Sequence, residues 1–385
     1  MKEIVITSAV RTPVGSFNGG LSSVPATRLG SVVITEAIKR AGIGPADVDE
    51  IIMGNVLSAG LGQSPARQAS LGAGLPNTTN CLTVNKVCGS GLKAVILASQ
   101  SIALGDADII IAGGMENMSR APYLLEKARF GYRMGDGNII DSMVKDGLWD
   151  VYNNIHMGSC AEIVASKYNI DRDEQDRYAL QSYQRAIEAQ KNGYFTEEII
   201  PIDNIALDEE PNRHDLSKLK TLQPVFKEGG GTTAGNSSKI SDGAAAVVVM
   251  AGDRARELGI KPMAKIIAHA SQGVEPEMFS IAPVGAIKKI LKKTGLTLND
   301  IDLFEINEAF SASILAVIKE LGLDKDRLNI HGGAIAIGHP IGASGARILT
   351  TLLYTMKRKK AKRGIVAICI GGGEAVAMLV ERVEE

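Results

Sequence analysis

The sequence predicts an α/β protein, a five-layer α/β/α/β/α stack made of two duplicated halves with an inserted loop domain. Three observations predict it. The 385-residue chain contains a copy of itself at an offset of 253 to 254 residues. Each copy alternates helix-like and strand-like segments, the pattern of a layered sheet. Residues 118 to about 238 have no counterpart in either copy.

The repeat is clearest where AGIGPADVDEIIMGNVLSA, Ala41 to Ala59, lies over TGLTLNDIDLFEINEAFSA, Thr294 to Ala312. The two share a glycine, the Asp49/Asp302 position, an apolar strand and a closing Ser-Ala. Farther along, Ser90-Gly91-Leu92-Lys93 lies over Ser344-Gly345-Ala346-Arg347. After each comes an apolar helix and then a strand ending in glycines, ADIIIAGGMEN and RGIVAICIGGGEA. Two unrelated segments with similar turns would have to reach nearly the same offset twice by chance.

The helices LKAVILASQSIAL and ARILTTLLYTM are apolar over much of their circumference. Helices of that kind are buried on several sides, which places them in a central layer shared by both halves. The first half spans 1–117 and is completed by 239–265, where GAAAVVVMAG resumes the strand pattern; the second spans 266–385. Between them, 118–238 carries the Met-, Gly- and charge-rich RMGDGNIIDSMVKDGLWD, a helix near Arg172 to Asn192, and a polar stretch near Asp208 to Lys220. Such an insertion reads as a lid or binding region on a rigid scaffold.

Composition narrows the function classes. Apolar residues at 45% and charged residues at 22% fit an ordinary globular protein. A net charge of -1 gives no general reason to bind nucleic acid or an anionic membrane. One tryptophan and 4% aromatics argue against a base-stacking surface. The N-terminal MKEIVITSAVRTP lacks a signal-peptide h-region, and no run approaches the roughly 18 apolar residues of a span. Cys81, Cys88, Cys160 and Cys369 form no CxxC and no disulfide scaffold, so a cytoplasmic enzyme with reduced thiols is expected.

In VNKVCGSGLKAV, residues 84 to 95, Cys88 precedes two glycines and the start of a helix. Helix N–H groups aimed at the sulfur would favour thiolate and make Cys88 a nucleophile, and the alternative is a small buried hydrophobe. In HGGAIAIGHPIGASGAR, residues 331 to 347, His339 lies on a turn closed by Pro340. The repeat maps His339 beside the counterpart of the Cys88 loop. If the two helix N-termini converge, His339 can take the Cys88 proton. His331 lacks that placement and reads as a packing or hydrogen-bonding residue. Cys369 ends a buried strand ahead of Gly371-Gly372-Gly373, whose bare backbone offers N–H groups to an anionic oxygen. In EINEAFSA, Asn307 can hold a water or carbonyl oxygen, or cap the following helix. Gly229 to Ala234 fits GxGxxA but follows Lys-Glu rather than a strand, so a dinucleotide site is not expected.

Together these residues resemble the thiolase family over essentially the whole chain. The blocks that carry the resemblance are VNKVCGSGLKAV, AGGMENMS, TTAGNSSKISDGAA, NEAFSA, GGAIAIGHPIGASGAR and CIGGG, in that order. It implies a thiolase-like stack whose loop domain serves CoA binding and oligomer contacts. It also implies no metal and no cofactor, coenzyme A being substrate and product. At matching positions it implies that Cys88 accepts the acyl group, His339 activates it, and Cys369 deprotonates the second substrate. Asn307 would hold a water in one oxyanion site, while the N–H groups of Cys88 and Gly371 form the other.

His156 and Met157, in VYNNIHMGSCAE, resemble the subgroup that makes or splits acetoacetyl-CoA. There Met157 shortens the acyl pocket, with Phe279 as a second wall, and His156 contacts the pantetheine arm. Arg213, Phe226, Ala234, Ser238, Ala309 and Phe310 match CoA-contacting positions. Lys127, Arg129 and Arg133 resemble a cationic loop and are expected to attract CoA phosphates. The expected partners are acetyl-CoA, acetoacetyl-CoA and CoA, with no nucleic acid or membrane, in a homotetramer built as a dimer of dimers.

One departure is Glu374-Ala375 after CIGGG, where the family more often has a neutral residue and glycine. The carboxylate could raise the Cys369 pKa, turn away, or pair with a base. The close alternative is a 3-ketoacyl-CoA thiolase for longer chains. A carrier-protein condensing enzyme usually pairs its cysteine with two histidines, and a thiolase-fold carrier without activity would not require Cys88, His339 and Cys369 together.

Overall fold

The structure is a computed structural model and describes residues 2–384. The repeat seen in the sequence is built with the same local bonds twice. Asp49 Oδ2 accepts from the N–H groups of Asp108 and Ile109 at 2.8 and 3.0 Å. Asp302 Oδ2 accepts from those of Lys362 and Arg363 at 2.7 and 2.8 Å. In each half one carboxylate therefore pins the start of a core strand beside its neighbour.

Those strands belong to one ten-stranded sheet. The first half supplies β1 (Ile4–Arg11), β2 (Gly15–Ser16), β3 (Glu50–Gly54), β4 (Asn80–Val84) and β5 (Ile109–Asn117). Two small ribbons, β6 (Tyr123–Leu124) with β7 (Ile140–Asp141) and β8 (Trp149–Asp150) with β9 (Ile155–His156), lie in the inserted region. After it come β10 (Ser241–Ala251), β11 (Ala264–Gly273), β12 (Leu303–Ile306), β13 (Arg363–Ile370) and β14 (Glu374–Arg382). The order is β12-β13-β14-β11-β1-β10-β5-β3-β4, with β2 paired to β10 off this path. Val5 and Ile6 of β1 pair with Lys265 and Ala264 of β11, which joins the halves edge to edge. β11 opens at Ala264 and pairs along its length with β14, two residues ahead of the expected start of the second half.

Alternation along the strands sorts side chains into three apolar layers. Ile109 and Ile111 face α1 (Ala26–Ala41) and α2 (Pro65–Gly72) on the outside of the first half. Ile365 and Ala367 face α7 (Ala282–Thr294) and α8 (Ser311–Leu321) on the outside of the second. Ile110, Ala112, Val366 and Ile368 meet in the middle with α3 (Ser90–Leu104) and α10 (Ser344–Lys359). Three apolar layers separated by two sheet regions give the expected five-layer stack.

The segment Val87–Leu104 is long and apolar enough to cross a membrane by length and composition. This corrects the expectation that no run would be. Its apolar surface is instead taken up between the two regions of the sheet, because α3 packs on β3, β5, β10 and α10.

The inserted region holds α4 (Met157–Lys167) and α5 (Arg172–Lys191), the latter close to its expected span. α6 (Gly252–Glu257) follows β10, and α9 (Ala334–Ile337) precedes the His339 turn. A fully buried Arg11 ties the insertion to β1, donating to Glu198 at 2.5 Å and to both Asp208 oxygens at 2.7 and 2.9 Å. Asp208 therefore sits inside the protein, although it begins a stretch that reads as merely polar.

Candidate active site

The site forms where α3 and α10 begin. A Cβ placed on Gly345 would lie 2.5 Å from the Leu92 nitrogen, and one on Gly91 3.0 Å from the Ala346 nitrogen. Only glycine lets the two backbones approach this closely, and the loops entering both helices are brought together. The expected convergence of the helix N-termini is therefore present.

Cys88 lies in the loop between β4 and α3. Val87, directly before it, has a φ of +44°, a conformation that β-branched residues rarely hold. Ser90 fixes the loop from within, accepting from Lys86 N at 2.8 Å and donating to Val87 O at 2.6 Å. The thiol packs against an apolar cluster that includes Met118 and Ile341. Burial pushes it up to about 11, and the N–H groups of Gly371 and Cys88 only partly counter this. The expected thiolate is thus outweighed by desolvation, and Cys88 rests as a thiol.

His339 is buried on the turn after α9. Gly338 ahead of it has a φ of +119°, and a Cβ there would lie 2.3 Å from Ser241 Oγ. His339 N donates to Lys239 O at 3.0 Å, and its Nδ1 meets Ser344 Oγ at 2.6 Å. Because Ser344 donates its hydroxyl proton to Pro340 O at 2.9 Å, its oxygen must accept from the ring. Nδ1 therefore carries the hydrogen and Nε2 presents a lone pair. Nε2 is buried with no protein partner. Burial, and then the cation of Arg347, push the imidazole down to about 3.

Cys369 is the penultimate residue of β13 and is 2% exposed. Burial and then Cys88 drive its thiol far above the usual cysteine range. Asn307 follows β12, and its N–H donates to Ala367 O at 3.0 Å. Both polar atoms of its side chain are buried without partners. The cap of α8 is Phe310, so Asn307 is not spent as a helix cap. Gly371 opens the turn between β13 and β14, and a Cβ on it would lie 3.6 Å from Met157 Sδ and 3.8 Å from Val87 Cγ1. His331 behaves as the sequence suggests, with its Nε2 3.2 Å from Arg358 Nη1. The Glu374 carboxylate is paired with Lys86.

A cleft of about 480 Å³ leads to His339 and is lined by His156, Arg213, Phe226, Ala234, Ser238 and Phe310 among others. The His156 ring stacks on Phe226 with centroids 4.8 Å apart, and Phe226 meets Phe310 edge-on at 6.1 Å. His156 also caps α4, its Nδ1 accepting from Gly158 N at 3.0 Å. Ser238 N donates to Ala309 O at 2.9 Å, which joins the insertion's last loop to the Asn307 segment. Met157, Phe279, Ala309 and Phe310 pack with Cys369 in one apolar cluster, and Phe310 also lines the cleft. Arg213 sits on the rim, bonded weakly to Glu210 at 3.5 Å. Lys127, Arg129 and Arg133 lie on an exposed segment, and none of them lines this cleft.

Several residues at the site were not expected. Lys239 lines the cleft, and burial lowers its amine to about 8. Its place in TTAGNSSKISDGAA gave no signal of burial. The Glu116 carboxylate gathers N–H donors from Val56 at 3.0 Å and Gly342 at 2.9 Å, so it holds the Cys88 and His339 sides together. Glu308 accepts from Tyr178 and Ser182 at 2.8 and 2.7 Å, tying α5 to the loop that carries Asn307. All three lie beside recognisable motif residues, the only signal that could have marked them.

Residues 4–253 match the thiolase N-terminal domain and residues 260–382 the thiolase C-terminal domain. An acetyl-CoA acetyltransferase of Chromobacterium violaceum is 53% identical over 99% of this chain and 100% of its own length. The acetyl-CoA acetyltransferase of Cupriavidus necator is 52% identical with the same coverage. Among solved structures, the Acat5 thiolase of Ascaris suum in complex with coenzyme A superposes with a TM-score of 0.96 at 44% identity, covering 99% of this chain and 100% of the other.

Proposed function

This chain belongs to the thiolase family, and from that premise we infer how its site works as an acetyl-CoA acetyltransferase. The reaction joins two acetyl-CoA into acetoacetyl-CoA and CoA, reversibly, through an acyl-cysteine. The observation that carries the assignment of roles is the coupling of the Cys369 thiol to that of Cys88, at a site where the converging His339 turn holds an imidazole whose Nε2 is buried and unpartnered.

His339 Nε2 takes the Cys88 proton as the sulfur attacks the acetyl carbonyl. The N–H groups of Cys88 and Gly371 hold the tetrahedral oxyanion, each donor worth about 3–4 kcal/mol. The departing CoA sulfur takes the proton of Cys369, which leaves acetyl-Cys88, a Cys369 thiolate and a protonated His339. Because its buried thiol resists ionisation, that thiolate is a strong base, suited to removing a proton from the methyl carbon of the second acetyl-CoA. His339 and a water held by Asn307 stabilise the enolate oxygen. The enolate carbon attacks acetyl-Cys88, the Cys88 sulfur leaves, and it recovers its proton from His339.

CoA lies along the cleft, with the pantetheine arm passing the His156–Phe226 stack and the charged groups near Arg213 and Lys239. Met157 and Phe279 close the acyl end, which favours acetoacetyl-CoA over longer 3-ketoacyl chains. We also propose a dimer of dimers, supported by an exposed β4 edge and an exposed segment carrying Phe130 and Met134. Residence in a reducing, cytoplasmic compartment is supported by four free cysteines.

Following the CoA-dependent loss of acetoacetyl-CoA and of longer 3-ketoacyl-CoA tests the substrate assignment. Intact-mass analysis after acetyl-CoA treatment tests the nucleophile: the wild type gains one acetyl group and Cys88→Ala gains none. A retained adduct in that variant refutes the role of Cys88.

A further inference from the structure

We propose that the Lys86–Glu374 ion pair is a positioning clamp that sets the spacing of the Cys88 and Gly371 N–H donors, and so governs the rate of acylation. The inference rests on the acyl-transfer reading above and deepens it. Lys86 and Glu374 are 288 residues apart and belong to different halves. Lys86 stands two residues before Cys88, and Glu374 three residues after Gly371.

Each donor adjoins backbone in a left-handed conformation. Beside Cys88 is the strained Val87 at φ +44°. Beyond Gly371 come Gly372 and Gly373, both left-handed at φ +89° and +87°. The two segments touch, since a Cβ on Gly371 would lie 3.8 Å from Val87 Cγ1. The charged side chains that flank them meet across this contact, and both are anchored behind. Lys86 N is bonded to Ser90 Oγ, while Glu374 pairs with Ile370 and Gly273 in the sheet. The pair therefore closes a ring of backbone around the two donors.

The side chains of Lys86 and Glu374 are 24% and 46% exposed, so the pair adds little to global stability. A loss of rate without a loss of folding is thus the signature of positioning. A charge effect of Glu374 on Cys369 is the competing account, but the carboxylate is committed to Lys86.

The test compares wild type with Glu374→Gln, Lys86→Met and the swapped Lys86→Glu/Glu374→Lys protein. Single-turnover acetylation of Cys88 is followed by quenched mass spectrometry, beside acetyl-CoA half-saturation and urea unfolding. Each single variant is expected to acetylate about tenfold more slowly, a loss typical of misplaced reacting groups. Half-saturation and the urea midpoint stay within about the wild-type range, and the swap restores most of the rate. Glu374→Gln acetylating as fast as wild type overturns the clamp, as does a swap no faster than the single variants. If wild type itself forms no acetyl-Cys88, the acyl-transfer premise fails instead, and the two failures are distinguishable.

Discussion

Gly345 of α10 lies directly against the Leu92 backbone of α3, so that an added Cβ would sit 2.5 Å from the Leu92 nitrogen and 2.7 Å from its Cβ. This contact brings the Cys88 loop of one half and the His339 loop of the other together at the starts of their helices. The glycines allow two buried helices to touch backbone to backbone, which side chains would prevent.

Gly345→Ala is therefore expected to force the helices apart in a packed interior. Overpacking of this kind costs about 1–3 kcal/mol. Urea unfolding should show that loss, accompanied by a fall in kcat, because the two loops separate with their helices. An unchanged urea midpoint together with full activity contradicts the contact.

Ser344→Ala removes the oxygen that accepts from His339 Nδ1. The ring then loses the bond that fixes both its orientation and its tautomer. We expect a fall of about ten- to a hundredfold in kcat, in the range of general-base effects, with KM little changed. Ser344→Thr keeps the hydroxyl and should recover much of the rate. Equal activity in the alanine variant and wild type removes Ser344 from the machinery.

The resting pair of groups also fixes a pH profile. Burial disfavours charge, so the Cys88 acid rises to about 11 and the His339 base falls to about 3. Between those values the thiol keeps its proton and the imidazole stays neutral, the form in which the ring can accept. Single-turnover acetylation should therefore stay nearly flat from about pH 5 to pH 9. A bell centred between the ordinary histidine and cysteine values, about 6.5 and 8.5, is the result that rules this out.

Much of this arrangement was legible because duplication leaves a linear trace. Asp49 and Asp302 are aligned in the sequence and make the same strand-pinning bonds in space. Ser90 and Ser344 likewise open paired helices, so Cys88 and His339 can be placed opposite one another before any coordinates are known. What could not be read depends on packing between distant segments. Asp208 and Lys239 look like ordinary surface charges until Arg11 and the cleft enclose them. The Cys88 thiol lies above rather than below its ordinary value for the same reason, since a helix N-terminus is local and visible in sequence whereas desolvation is collective. Lys127, Arg129 and Arg133 are read from their charge and their resemblance to a cationic loop, and they do not line the cleft.

Met157→Ala tests how the acyl end is closed. Met157 packs with Cys369, Phe279 and Phe310, and its removal frees space next to the reacting carbon. The rate on 3-ketohexanoyl-CoA relative to acetoacetyl-CoA should rise by about tenfold or more, the discrimination that a methylene or two commands in an apolar pocket. A ratio that does not move assigns chain length to another wall.

Asn307→Ala should separate stability from chemistry. In the resting protein both side-chain polar atoms of Asn307 are buried and unmatched by any protein group. An unsatisfied buried amide costs about 1–3 kcal/mol where water does not compensate, so its removal should leave the urea midpoint unchanged or raised. Acetylation of Cys88 uses the other pair of donors and should fall little. Condensation depends on stabilising the enolate and should fall by about 10²–10³, the loss expected for one oxyanion donor. The same variant is then as stable as wild type, almost as fast in the first half-reaction and crippled in the second. Equal losses in both half-reactions place Asn307 with Cys88 and Gly371 rather than opposite them.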